Sequence, residues 1–251
     1  MILGVIPARY GSSRFPGKPL ARVNGTPLIQ LVWERAKAAK RLERLLVATD
    51  DPRIGEAVRR FGGEAVMTAK ELPSGTDRVW QAAQGTPARI VVNIQGDEPL
   101  IAPHMIDEAI RPLLDDATIP VGTLVKAITS SDELLNPNVV KVVLDDQGCG
   151  VYFSRSPIPY LRDPVTMDKW HLHHHYYKHI GLYVYRRSFL LEFATWPESV
   201  LERAEKLEQL RIIEHGYRIK TVVTGHDSIP VDTPADADKV RGILHSTVST
   251  S

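Results

Sequence analysis

Short apolar, β-branched runs separated by helical patterns occupy the first hundred positions of the chain. Positions 2–6 predict a buried strand, followed by a polar loop containing glycine. A helix is expected from about 26, with Asn24-Gly25 as the preceding turn and Pro27 at its first position. Its apolar residues Leu28, Leu31, Val32 and Ala36 keep helical spacing. Positions 45–48 give the next strand. Asp51 then caps a second helix, with Pro52 at its first position, a buried stripe of Ile54, Ala57, Val58 and Phe61, and Gly62-Gly63 as its end. Strands at 65–67 and 90–94 flank a third helix opened by Thr76. Strands alternating with helices point to an α/β fold with a doubly wound, mostly parallel sheet covered on both faces.

The second half is less regular. Strands are expected at 121–128, 139–144, 151–154 and 180–185, and Asp145-Asp146-Gln147-Gly148 reads as a hairpin turn. A smaller antiparallel insertion is therefore grafted onto the parallel sheet. A long helix is expected over 201–215, ended by Gly216, and Pro234 starts a last helix. The final residues, HSTVSTS, are expected to fray.

The chain has 251 residues, 43% hydrophobic and 24% charged, which is enough to bury a substantial core. A formal charge of +1 gives no general attraction for nucleic acid or acidic membranes. The single cysteine, Cys149, excludes an internal disulfide and a four-cysteine zinc site. No apolar run is long enough to span a bilayer, and the first residues lack the basic region of a signal peptide, so a cytoplasmic location is expected.

The chemistry gathers in the loops after the strands. The loop after the first strand holds Arg9, Arg14 and Lys18 with two glycines and two serines. A loop at the carboxyl end of a central strand is where such sheets bind ligands, and three cations with exposed backbone N–H groups suit a polyphosphate. Lys18 is followed by proline, so this is not a Walker loop. The alternative is a solvated basic turn. The strand at 90–94 delivers Asp97 to the same edge, where a carboxylate near phosphates calls for a divalent cation, and hard oxygen ligands suit Mg²⁺. Asp97 as a cap for the next helix is the simpler alternative. Thr76 is the expected cap of the third helix, and Ser74-Gly75 before it exposes backbone that can read a base edge. Thr233 is the expected cap of the last helix, leaving Asp232 as a candidate second metal ligand.

On the helix expected at 201–215, Glu205 and Gln209 share a stripe with Leu201 and Ile212. Polar groups there are expensive to bury without partners, so they are read as aimed at a polar ligand. The histidine-rich stretch 171–179 has no intervening Cys, Asp or Glu, so a metal site is set aside. His179, directly before a strand, is the histidine best placed to serve a substrate.

Assembled in order, IPARYGSSRFPGKPL, VATDD, SGTDR, NIQGDEP, NPNVVKVV, YFSRSPIP, HIGLYVYR, LEQLR and VDTPAD resemble the CMP-Kdo synthetase (3-deoxy-manno-octulosonate cytidylyltransferase) family through most of the chain. The departures are the histidine-rich stretch before His179 and a shorter loop there. The resemblance implies a Rossmann-type, nucleotide-diphospho-sugar transferase-like fold, one nucleotidyltransferase domain over 1–251, and a sugar-binding and dimerisation subregion at about 121–190. It implies transfer of CMP from CTP to the acidic sugar Kdo for lipopolysaccharide synthesis, with Mg²⁺ as cofactor and a homodimer as the assembly. Carried over by position, Arg9 and Lys18 hold the phosphates, and Ser74, Gly75 and Gln95 surround cytosine. Ala8, Gly11, Ser12, Arg14 and Arg78 complete the nucleotide site. Asp97 and Asp232 bind the metal, and Arg9, Lys18, Asp97 and Asp232 form the catalytic set. Arg155 pairs with the sugar carboxylate, while His179, Tyr183, Glu205 and Gln209 take its hydroxyls. A cytidylyltransferase for 8-amino-Kdo or sialic acid, or a catalytically silent nucleotide-binding domain, are the competing readings.

Overall fold

The computed structural model describes residues 1–11, 15–162 and 165–248, the side chains of 246–248 excepted. The chain forms two compact units: Met1–Asp107 together with the chain from Asp227 onward, and Glu108–His226.

The first unit runs β1 (Ile2–Ala8), β2 (Arg22–Val23), β3 (Thr26–Pro27), α1 (Leu28–Lys37), β4 (Arg44–Thr49), α2 (Pro52–Arg60), β5 (Glu64–Met67), α3 (Gly75–Gln84) and β6 (Ile90–Asn93). The division of the chain falls inside α4 (Pro103–Asp115). Strands β5-β4-β1-β6 lie side by side and all pair in parallel. Leu3, Val5, Leu46, Val47, Val91 and Val92 are completely buried, as expected of strands covered on both faces. From β1 the chain winds to one side through β4 and β5, then returns to place β6 on the other side. The order therefore reverses between β1 and β6, where a crevice opens beyond the carboxyl ends of the strands.

The second unit holds β7 (Val121–Ala127), α5 (Ser131–Leu135), β8 (Lys141–Leu144), β9 (Cys149–Ser154), α6 (Trp170–His173), β10 (Tyr177–Arg186), α7 (Arg187–Phe193), α8 (Val200–Glu205), α9 (Gln209–Glu214) and β11 (Ile219–Val223). Its strands run β10-β7-β11-β9-β8, and β8 pairs again with β10, which closes a five-stranded ring. Only β7 and β11 pair in parallel within it. Gly148, at φ +70°, makes the expected turn between β8 and β9, and Cys149 begins β9 buried. The chain then returns to the first unit, where α10 (Pro234–Val248) covers the β2–β3 hairpin through Val23, Leu28, Val231, Ala237 and Val240.

Several local expectations are corrected. Helix α1 starts at Leu28, because Thr26-Pro27 pairs with β2. Ser74 rather than Thr76 caps α3: its hydroxyl accepts from Asp77 N at 3.1 Å, and its own N–H donates to Asp77 Oδ2 at 3.1 Å. The helix expected over 201–215 is two helices, broken where Lys206 turns to φ +55°. Glu205 and Gln209 therefore share no helical stripe. Residues 249–251 of the expected frayed end lie outside the described residues.

Candidate active site

The crevice between β1 and β6 contains a cavity of about 310 Å³ belonging wholly to the first unit. It is lined by Pro7, Ala8 and Arg9 from the end of β1, Lys18 and Pro19 beyond its loop, and Leu72, Pro73, Ser74, Gly75 and Arg78 around the start of α3. Gln95, Gly96 and Asp97 after β6 and Asp232 before α10 complete it. Eight of the expected nucleotide and metal residues that lie far apart in sequence are thus brought together with Ala8. Gly11 is exposed and is not among the lining residues. Ser12 and Arg14 lie outside the described residues.

Close backbone approach builds this crevice. A Cβ on Gly96 would sit 2.6 Å from the Pro7 carbonyl oxygen, so only glycine lets the loop after β6 lie against the end of β1. Asp97 and Asp232 are juxtaposed by a backbone bond from Val231 N to Asp97 O of 2.8 Å. Thr233 exchanges the side-chain capping bonds with Asp236 at the start of α10, Asp232 adds its backbone N–H to the same carboxylate at 3.3 Å, and the Asp232 side chain lines the cavity. Both carboxylates converge on one ammonium: Lys18 Nζ lies 2.7 Å from Asp97 Oδ2 and 3.3 Å from Asp232 Oδ1. Two negative charges against one positive leave a local deficit that a divalent cation balances, and oxygen donors suit Mg²⁺. The residues present therefore fit that metal.

The cavity wall at α3 is rigid. Arg78 is 3% exposed, donates to Asp50 Oδ2 at 3.1 Å and to Ala69 O at 3.3 Å, and also bonds Thr68 Oγ1. A buried, fork-shaped guanidinium tied to three partners braces the loop ahead of Ser74. The Ser74 hydroxyl donates to Asp77 Oδ2 at 2.7 Å, so the cap takes both the hydroxyl and the N–H of Ser74. Beside Asp97, burial and the Asp97 charge push Glu98 up to about 7.

The remaining candidates belong to the second unit. His179 lies on β10 beside a bulge between Ile180 and Tyr183. Buried Thr123 sits in that bulge, its hydroxyl 2.8 Å from Leu182 O, 3.1 Å from Ile180 O and 2.9 Å from His179 Nε2. With its one hydrogen assigned to a carbonyl, the hydroxyl accepts from Nε2, and that tautomer makes Nδ1 the ring's acceptor. Burial lowers His179 to about 3, which keeps the ring neutral. The Tyr183 ring lies 5.2 Å from it, and burial raises that phenol well above its ordinary value. Gln209 is 5% exposed, and among the described residues its Nε2 has no hydrogen-bond acceptor, which fits a group meant for a polar ligand.

Glu205 and Arg155 differ from expectation in what they touch. Glu205 accepts from the Ser154 hydroxyl at 2.6 Å and from Arg155 N at 3.0 Å, so its carboxylate fixes the end of β9. The Arg155 guanidinium donates to the carbonyls of Glu205, Pro137 and Lys206 at 2.8, 3.0 and 3.4 Å, three of its five N–H groups. Nearby, fully buried Lys141 donates to Asn136 O at 2.9 Å and Val139 O at 2.6 Å. Burial, then the Arg155 charge, lowers it to about 8. Among the described residues, the histidines of 171–175 form no metal-holding group.

Sequence reasoning missed Gly96, Thr123, Lys141 and Asp50 as parts of these sites. Gly96 carried a readable signal, a glycine between two polar candidates after a strand. Thr123 carried none, because its partners are created by a bulge in another strand.

The sequence profile of the cytidylyltransferase family matches residues 3–219. The chain belongs to the cytidylyltransferase family. One curated relative in it, the 3-deoxy-manno-octulosonate cytidylyltransferase of Geobacter sulfurreducens (strain ATCC 51573 / DSM 12127 / PCA), is 52% identical over 248 residues, covering 95% of this chain and 97% of that protein. A solved cytidylyltransferase, CMP:2-keto-3-deoxy-manno-octonic acid synthetase complexed with CTP, is 44% identical, with a TM-score of 0.91 over 98% of this chain and 99% of the other. A cytidylyltransferase from Leptospira borgpetersenii serovar Hardjo-bovis (strain JB197) shares the fold at 17% identity and a TM-score of 0.64, covering 98% and 87%. Among the described residues, no helix of this cytidylyltransferase is long and apolar enough to cross a membrane.

Proposed function

We propose that this chain transfers CMP from CTP to the anomeric hydroxyl of 3-deoxy-D-manno-octulosonate (Kdo), releasing pyrophosphate. The observation that carries this reading is the convergence of Asp97 and Asp232 on Lys18, in a cavity walled by Ser74, Gly75 and Gln95, in a chain so similar to CMP-Kdo synthetases. The hydroxyl oxygen attacks the α-phosphorus, the bond from phosphorus to the bridging β-phosphate oxygen breaks, and the hydroxyl proton leaves. Arg9 and Lys18 stabilise the charge that builds on the departing pyrophosphate. Asp97 and Asp232 would hold Mg²⁺, which when bound acidifies the hydroxyl and screens the phosphates. Gly75 and Gln95 take the cytosine edge. In the second unit Arg155, with two N–H groups beyond its three carbonyl bonds, receives the sugar carboxylate, and neutral His179 accepts a sugar hydroxyl at Nδ1. Tyr183 and Gln209 bind further hydroxyls, and Glu205 holds Ser154 and Arg155 in place for them.

Production of CMP-Kdo for lipopolysaccharide, a cytoplasmic location and a homodimer built through 121–190 belong to the same reading; sedimentation of the purified chain tests the last. The deciding experiment measures pyrophosphate release with Mg²⁺, offering CTP, UTP, ATP and GTP in turn with Kdo, 8-amino-Kdo and sialic acid. Release with CTP and Kdo alone is the expected result. A preference for another sugar moves the error to the second unit. Silence with every pair despite bound CTP leaves a nucleotide-binding domain without catalysis.

A further inference from the structure

Tyr10 and Gly17 bracket the loop between β1 and Lys18, and the residues outside the cavity that hold this bracket form a chain of contacts. Gly17 N donates to Tyr10 O at 3.0 Å. Gly17 adopts φ +70°, and a Cβ there would meet the Tyr10 ring at 3.1 to 3.2 Å, so the ring lies against the glycine. The Arg53 guanidinium carbon stacks 3.6 Å from the Tyr10 ring centroid. Arg53 is in turn gripped by Asp51, Nε to Oδ1 at 2.9 Å and Nη2 to Oδ2 at 2.7 Å. Asp51 is anchored because the same carboxylate caps α2 through Arg53 N at 2.9 Å. Neither Tyr10, Asp51 nor Arg53 lines the cavity.

We infer that Asp51, Arg53 and Tyr10 form a positioning clamp that fixes Gly17 and so aims Lys18 at the nucleotide phosphates, an inference that rests on the nucleotide reading above. The bidentate grip orients a planar guanidinium, whose flat face then immobilises the ring. The helix start thus supplies a rigid reference for Tyr10 and Gly17, the latter directly before Lys18. Because Lys18 both holds the phosphates and meets the charge that builds on the departing pyrophosphate, misaiming it weakens CTP binding and also slows turnover, while the sugar contacts of the second unit are left alone.

The test compares Tyr10→Ala, Tyr10→Phe, Arg53→Ala and the Tyr10→Ala/Arg53→Ala double variant in the full chain. Tyr10→Ala and Arg53→Ala are expected to raise KM for CTP and to lower kcat, each by about three- to tenfold, while KM for Kdo moves less than about twofold. Tyr10→Phe, which keeps the ring and loses the phenol oxygen that also meets Arg53, should lie closer to the parent than to Tyr10→Ala, and the double variant should be no worse than the worse single one. Hydrogen exchange at the Gly17 amide should accelerate in both alanine variants with or without nucleotide. An unchanged KM for CTP, or a Tyr10→Phe as damaged as Tyr10→Ala, overturns the clamp. So does a uniform fall in kcat and both affinities together with a lowered Tm, which marks mere support of the fold. If the parent chain uses no CTP at all, the nucleotide reading fails, and Gly17 exchange still reports whether the stack holds the loop.

Discussion

Lys18 and Lys141 are each held by two oxygens, and the nature of those oxygens separates the two units. Lys18, in the first unit, faces carboxylates, so its charge is balanced and then exceeded. Lys141, in the second, faces only backbone carbonyls, with Arg155 nearby adding a second positive charge and Glu205 one negative. The first arrangement sets two carboxylates on one ammonium, and under the proposed reading it would loosen when phosphates compete for that ammonium. The second has surplus positive charge fixed by dipoles that cannot leave, a setting suited to receiving an acid such as a sugar carboxylate. Charged partners can be exchanged during a reaction, whereas carbonyl partners hold a shape.

The sharpest way to break this contrast is at the carboxylates. Asp97→Asn should lower turnover on the order of a thousandfold and abolish Mg²⁺ binding, as read by pyrophosphate release and calorimetry. Lys18→Met should lose turnover on a similar scale yet keep Mg²⁺ binding, since it removes the competing ammonium; loss of metal binding there would refute the exchange. Gly96→Ala should destabilise the first unit by about 1–3 kcal/mol, because the added carbon meets a backbone oxygen with nowhere to go, and denaturant unfolding measures it. In the second unit Glu205→Gln should raise KM for Kdo roughly tenfold and leave KM for CTP unchanged, through two weakened bonds to Ser154 and Arg155. The smallest effects are on stability against pH. His179 binds its proton near 3 when folded against an ordinary 6.5, so the unfolded chain holds more protons between these values. Stability should fall as pH drops from 6.5 toward 3, and His179→Gln should flatten that slope. For Lys141 the same reasoning gives stability rising as pH climbs from about 8 to 10.5, a rise that Lys141→Met removes.

The first unit was largely readable because its strands are continuous apolar runs and its functional loops follow them directly. Arg9, Gln95 and Asp97 sit where a strand ends, so finding the strand finds the residue. Asp232 was readable for another reason, the Thr-Pro that opens a helix after it. In the second unit the strands alternate, turn back on each other and carry polar residues inward. Thr221, buried in β11 with its hydroxyl on Gly148 O at 2.9 Å, interrupts an apolar pattern that would have announced that strand. Lys206 in a left-handed conformation is equally silent, since only glycine or asparagine signals that geometry, and the helix was read straight through it. Periodicity placed Glu205 and Gln209 on one stripe; the break gives one to a loop brace and the other to a buried amide whose Nε2 has no acceptor among the described residues.

Cys149 gives the second unit a built-in reporter. As the chain's one thiol, buried at the start of β9 with its acidity suppressed by burial and by Asp145, it stays slow toward alkylating reagents while the five-stranded ring is closed. Opening of the ring exposes it. The rate of thiol labelling therefore clocks the breathing of the second unit by itself, unmixed with any signal from the first, and the effect of Kdo on that rate can be read without a dye or an engineered site.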